Sequence, residues 1–207
     1  MKFTEFKNVV KDIPAFSVPQ LSSLAKNKQA FRNQISQWKK QGLIIPLKKG
    51  LYILNENDRK INLSREYIAN QLVFPSYVSL EYALSYYSFI PERAFQVTSI
   101  TSKKTSEFVN SFGTFIYRNL KTELFFGYEN QQDENGMQIL MAEKEKALLD
   151  FLYLNLSQID PNNPNFLEES YRFENLDELD KSLLLKYSDK FQSKKLTQLI
   201  QRLTSQR

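Results

Sequence analysis

The sequence predicts an α+β fold, and three observations predict it. Between Phe16 and Leu54 a short helix, a break, a longer amphipathic helix and a strand–turn–strand follow one another within forty residues. From about residue 61 onward, strand-like runs rich in β-branched and aromatic residues alternate with short helical patterns. After Pro161-Asn162-Asn163-Pro164 only helical periodicity is left. The expected organisation is therefore 1–60 as an N-terminal helical unit with a hairpin, 61–160 as a mixed α/β domain, and 161–207 as a C-terminal helical tail.

The elements follow in order. Phe3, Phe6 and Val10 share one face of a first helix over about Lys2–Lys11, which Ile13-Pro14-Ala15 ends. Ser17-Val18-Pro19-Gln20-Leu21 reads as a helix start, with Ser17 or Val18 as cap and Pro19 in the first turn. A break at Lys26-Asn27 precedes a helix from Lys28 to Lys40, closed by Gly42. Phe31, Ile35 and Trp38 form its apolar stripe. Its other face carries Lys28, Gln29, Arg32, Asn33, Ser36, Gln37 and Lys40. Leu43–Leu47 and Leu51–Leu54 flank Lys48-Lys49-Gly50 as a hairpin with a basic tip. Helix, turn, donor-rich helix and basic hairpin together make the pattern of a winged helix-turn-helix, a DNA reader.

The polar run Asn55–Lys60 is the expected domain boundary. Ser64 then caps a helix over Arg65–Leu72, Pro75-Ser76 breaks the chain, and Ser79–Tyr87 forms another short helix. Phe95–Thr101, Thr114–Arg118, Leu124–Tyr128 and Met137–Met141 read as strands, Glu107–Asn110 as a brief helix, and Gln131–Gly136 as a turn. Ala142 to about Leu156 is a helix with Ala147, Leu148, Phe151 and Leu152 on its apolar face. Helices over Leu176–Tyr187 and Ser193–Ser205 complete the tail.

Composition narrows the chemistry. The 207 residues are 42% hydrophobic and 14% aromatic with only 5 glycines, which is enough apolar material for a core. Cys and His are both absent, which removes disulfides, Cys and His nucleophiles, the usual general base and most zinc sites. No cofactor or metal is expected. The start of the chain lacks a signal-peptide core and no apolar run reaches the ~20 residues of a membrane span, so a cytoplasmic protein is expected.

The net charge of +5 is unevenly spread. Residues 1–60 carry +8, 61–122 carry +2, 123–180 carry −11 and 181–207 carry +6. A basic front suits a polyanion, whereas the acidic segment reads either as solvated helix faces or as a surface for a basic partner. Lys28, Gln29, Arg32 and Asn33 lie early in the 28–40 helix, where side chains reach base edges. Arg pairs with guanine, and Asn or Gln with adenine. Ser36 continues that face, while Lys39, Lys40, Lys48 and Lys49 suit phosphates.

Other readings stay open. Met141–Lys146 mixes carboxylates and lysines after a strand, a weak echo of a metal-dependent nuclease, although Glu143 and Glu145 cannot share a helical face. The Tyr-rich stretch Tyr77–Tyr87 is either a packed core edge or an interface for a protein or ligand.

Several segments resemble one family. Gly42-Leu43-Ile44 with Lys49-Gly50-Leu51-Tyr52 resembles the end of the winged-helix domain of AbiEi-type antitoxins, regulators of type IV toxin–antitoxin operons. The resemblance continues through Ile68-Ala69-Asn70, Pro75–Leu84, Ile90-Pro91-Glu92, Thr98–Thr101, Phe115–Arg118 and Glu143–Asp150, covering roughly residues 16–155. Its most specific part is Pro75-Ser76-Tyr77-Val78-Ser79-Leu80-Glu81. The resemblance implies a DNA-binding transcriptional regulator, an autorepressing antitoxin that binds inverted repeats in double-stranded promoter DNA. It also implies a second domain that opposes a nucleotidyltransferase-like toxin without a stable complex.

Overall fold

A computed structural model of the chain describes residues 1–21, 27–159 and 172–205. The N-terminal part comprises α1 (Phe3–Val10), β1 (Phe16–Ser17), α2 (Val18–Leu21), α3 (Lys28–Lys40), β2 (Ile44–Lys48) and β3 (Leu51–Leu54). The bounds of α3 match the sequence expectation. Asn27 caps it, its side chain accepting from the amides of Gln29 and Ala30 at 2.9 and 3.0 Å. Gly42 leaves it in the left-handed region at φ +71°, where a side chain would be strained. Lys26, the other half of the expected break, lies outside the described residues.

β1 was not expected. It pairs Phe16 with Tyr52 and widens the hairpin into a three-stranded antiparallel sheet in the order β1-β3-β2. The stripe Phe31, Ile35 and Trp38 turns inward onto Phe6, Val10 and Phe16. Phe6 sits 4.6 Å from the Trp38 ring and 5.4 Å from Phe16.

The rest of the chain is mixed α+β. It runs through α4 (Arg65–Leu72), β4 (Ser76–Val78), α5 (Leu80–Tyr86), β5 (Val97–Thr101), β6 (Ser106–Asn110), β7 (Gly113–Asn119), β8 (Tyr128–Gln132) and β9 (Gln138–Ala142). Then come α6 (Lys144–Leu154), α7 (Lys181–Lys190) and α8 (Lys194–Ser205). The Ser64 hydroxyl caps α4 as expected, accepting from the Tyr67 amide at 3.0 Å.

Four expectations are corrected. The break expected at Pro75-Ser76 ends at Pro75, in the bend after α4, and Ser76 already belongs to β4, which lies inside the sheet between β5 and β9; a three-residue strand is too short to show a period. Glu107–Asn110 is strand, not helix, because Ser106–Asn110 pairs antiparallel with β7. Leu124–Tyr128 is not a strand. Thr122–Leu124 is a 3-10 turn and pairing begins only at Tyr128, so the expected turn at Gln131 starts after Gln132. Finally, Leu176–Tyr187 is a 3-10 turn over Leu176–Glu178 and a separate helix from Lys181. Asp180 interrupts it, its carboxylate capping the Ser182 and Leu183 amides at 2.8 and 3.0 Å. The expected break at Pro161–Pro164 lies outside the described residues.

The larger sheet has the order β6-β7-β5-β4-β9-β8. Strand alternation separates its faces. Tyr77, Ile100 and Ala142 pack with α5, α6, α7 and α8 on one side, while Val78, Val97, Phe115 and Met141 pack with α4 on the other. Leu47 and Ile53 of the N-terminal hairpin belong to this second core. The polar run 55–60 is a hydrogen-bonded turn, tied back to α1 by the Lys7–Asp58 pair at 2.5 Å. Among the described residues no helix is long and apolar enough to cross a membrane.

Candidate nucleic-acid interface

Inward anchoring of Phe31, Ile35 and Trp38 dictates what α3 shows to solvent. With 3.6 residues per turn, Lys28, Gln29, Arg32, Asn33, Ser36, Lys39 and Lys40 must lie off the buried stripe, and all seven are exposed. No acidic residue occurs on α3. Among the described residues none of Lys28, Arg32, Lys39 and Lys40 forms a salt bridge. The Gln29 amide donates to the Asn33 side-chain oxygen at 3.2 Å, which aligns these two on adjacent turns. The helix therefore presents long, exposed donors at its first two turns and cations at its last.

The hairpin tip divides its two lysines. Gly50 turns the tip at φ +85° and Lys49 is exposed. Lys48 instead folds back onto the larger domain. Its ammonium donates to the Leu72 carbonyl at the end of α4 and lies 5.9 Å from the Phe108 ring. Burial first, and then the nearby Lys103 charge, push its pKa down. Of the nine residues expected at an interface, eight are exposed and Lys48 is engaged within the chain.

Sequence reasoning missed a second polar constellation, at the heart of the larger domain. Lys146 and Asp150, one turn apart on α6, form an ion pair with no exposure of either side chain. Asp150 also accepts from Tyr77 and Ser79, both at 2.9 Å, and Lys146 donates to Tyr77 at 2.9 Å. Ser79 is extended and Leu80 is left-handed at φ +59°, and this sharp strand-to-helix turn aims the Ser79 hydroxyl at Asp150. The Lys146 ammonium lies 5.0 Å from the Phe126 ring and 5.1 Å from Phe191. Burial is the largest influence on all three titratable members: it raises Asp150 and Tyr77 and lowers Lys146. The available signal was a Lys and an Asp four apart around Ala147-Leu148-Leu149. Two charges on an apolar face must pair.

The carboxylates of the 141–146 segment are occupied. Glu143 accepts from the Tyr187 hydroxyl at 2.7 Å, and Glu145 accepts from the Asp180 amide at 2.8 Å. Among the described residues no group of three potential ligands could hold a metal ion. The Tyr-rich stretch is largely core: Tyr77 is fully buried and Tyr82 donates to Glu66, but Tyr86 is 55% exposed. An open cleft of about 590 Å³ lies beside it, lined by Arg65, Glu66, Tyr82, Arg93 and Asp133, and it contains none of the nine interface residues. No family model matches the chain, and no curated protein matches it.

Proposed function

We propose that this chain is a cytoplasmic DNA-binding transcriptional regulator, built as a winged helix-turn-helix joined to an α+β domain, that represses an operon by covering its promoter. The resemblance to AbiEi-type antitoxins makes that operon a type IV toxin–antitoxin operon and the bound DNA an inverted repeat. The second domain would then oppose a nucleotidyltransferase-like toxin without a stable complex. One observation carries the DNA reading. The apolar stripe of α3 is buried, and its opposite face holds Lys28, Gln29, Arg32 and Asn33 exposed, with no carboxylate and no salt bridge among the described residues. Arg32 and its neighbours read base edges in the major groove, and Lys39, Lys40 and Lys49 neutralise phosphates.

A gel-shift with the region upstream of the gene tests this. Arg32→Ala is expected to lose ~1–3 kcal/mol and to blur preference at one base position. An unchanged ranking of operator variants after Arg32→Ala would overturn the placement of the recognition helix. Binding that ignores sequence altogether would favour a protein-interaction role instead.

A further inference from the structure

The larger sheet has two edges, and they are treated differently. At one, β6 lies against the N-terminal hairpin: the Asn110 side chain donates to the Leu47 carbonyl at 3.1 Å, and Lys48 sits over Phe108. At the other, β8 ends the strand order, and no described strand pairs with its outer side. An uncovered edge is normally guarded by charged side chains, lysine above all, by a proline or by a bulge that deters pairing. β8 reads Tyr128-Glu129-Asn130-Gln131-Gln132, with no lysine or proline and a single charge at Glu129, and its register with β9 is unbroken.

The direction of its backbone groups follows from β9. Asn70 brackets Leu140 from the far side, accepting from its amide at 2.6 Å and donating to its carbonyl at 3.3 Å. Leu140 opposite Asn130 is therefore a non-hydrogen-bonded pair, and the Glu143 amide bonded to the Gly127 carbonyl at 3.0 Å fixes the same phase. In that phase the amides and carbonyls of Tyr128, Asn130 and Gln132 point away from the sheet.

We propose that β8 pairs with β8 of a second copy of this chain, antiparallel about a two-fold axis at Asn130. That register places Asn130 opposite its own counterpart and Tyr128 opposite Gln132, so each outward residue gains both of its missing backbone bonds. It also sets Glu129 opposite Gln131 of the other copy, never opposite the other Glu129. Gln131 donates to the Tyr87 hydroxyl at 3.0 Å and to Glu129 of its own strand at 2.9 Å, so both its N–H groups are used within the chain, and the seam exchanges the second of these bonds for an equivalent one to Glu129 of the other copy. The lone negative charge of the strand thus meets a donor, and the edge is self-complementary. A basic extended peptide would find only Glu129 as a charge partner on β8, which is why a second copy fits better. This inference rests on the sheet alone and is independent of the nucleic-acid reading.

Sedimentation velocity of the full chain without DNA, over about a hundredfold range of concentration, tests it. A monomer–dimer equilibrium is expected. Asn130→Pro removes an amide that the monomer's own ladder does not use, so the far-UV spectrum and thermal midpoint hold while dimer affinity falls about tenfold or more. Gln131→Glu sets like charges across the seam and weakens the dimer, and the swap Glu129→Gln with Gln131→Glu restores it. A chain monomeric at every concentration overturns the proposal. So does a dimer indifferent to Asn130→Pro and Gln131→Glu, or an edge that captures a basic peptide while the chain stays monomeric.

Discussion

Lys48 and Lys49 are adjacent in sequence and opposite in commitment, which turns the salt dependence of the proposed DNA binding into a test of the structure. Each lysine or arginine that neutralises a phosphate contributes about −0.9 to the slope of log affinity against log salt. The cations placed at phosphates are Lys39, Lys40 and Lys49, all exposed, while the Lys48 ammonium is held on the Leu72 carbonyl. Three such contacts give a slope of about −2.7, so raising salt fourfold weakens binding by roughly 40-fold. Lys49→Ala is expected to shallow the slope by about 0.9, leaving a loss of roughly 12-fold over the same interval. Lys48→Ala is expected to leave the slope unchanged. Fluorescence anisotropy with a labelled operator at several salt concentrations measures all three. Equal changes in slope for the two alanine variants would refute the assignment of Lys48 to the protein's own body.

Two further outcomes concern stability. Lys146→Met strands the Asp150 carboxylate in a fully buried site, so urea unfolding is expected to show a loss of ~3–5 kcal/mol. Adding Asp150→Asn to it should recover part of that loss, and a single-variant cost below about 1 kcal/mol would contradict the buried pair. The alkaline limb follows from the tyrosines. Burial raises Tyr77, Tyr82 and Tyr117, and pushes Tyr87 and Tyr187 up to about 12. Below pH ~10 these phenols are protonated in both states and their contribution is intact. Above it the unfolded chain loses protons first, so stability falls as pH climbs through the folded values. A urea midpoint that stayed level from pH 9 to 12 would argue against these burials.

Much of the N-terminal part was legible because its signals are local. The 3.6-residue stripe Phe31-Ile35-Trp38, the break before Lys28 and Gly42 each act within one helix, and α3 emerges with the expected bounds. The tip lysines were not separable by sequence, since what distinguishes them is the carbonyl of Leu72, twenty-four residues away from Lys48. The same limit explains β4 and β6. Ser76–Val78 is made a strand by neighbours at Ser99–Thr101 and Met141, and Ser106–Asn110 by Gly113–Tyr117. Short strands owe their conformation to partners rather than to propensity. Leu124–Tyr128 misled in the opposite direction: its aromatics suggest a strand, yet Phe125 and Phe126 serve as core contacts for Tyr77 and Tyr187 in a loop.

Residues 1–60 look like a separable module by composition, and packing argues otherwise. Leu47 and Ile53 are 2% and 0% exposed, and they bury their side chains in a core shared with Leu72, Val97 and Phe115. Cutting the chain after the hairpin would return two aliphatic side chains to water, at about 1.5–3 kcal/mol each. The Asn110–Leu47 and Lys48–Leu72 contacts would go with them. Linked domains move relative to one another unless a sizeable apolar interface prevents it. Here such an interface exists, and it includes the strand that precedes the tip. The orientation of α3 relative to the larger sheet is therefore set by buried contacts rather than by the 55–60 turn. In the larger domain α4 is the helix that meets the hairpin: its last carbonyl holds Lys48, and its Ile68, Ala69 and Leu72 line the core that Leu47 and Ile53 share.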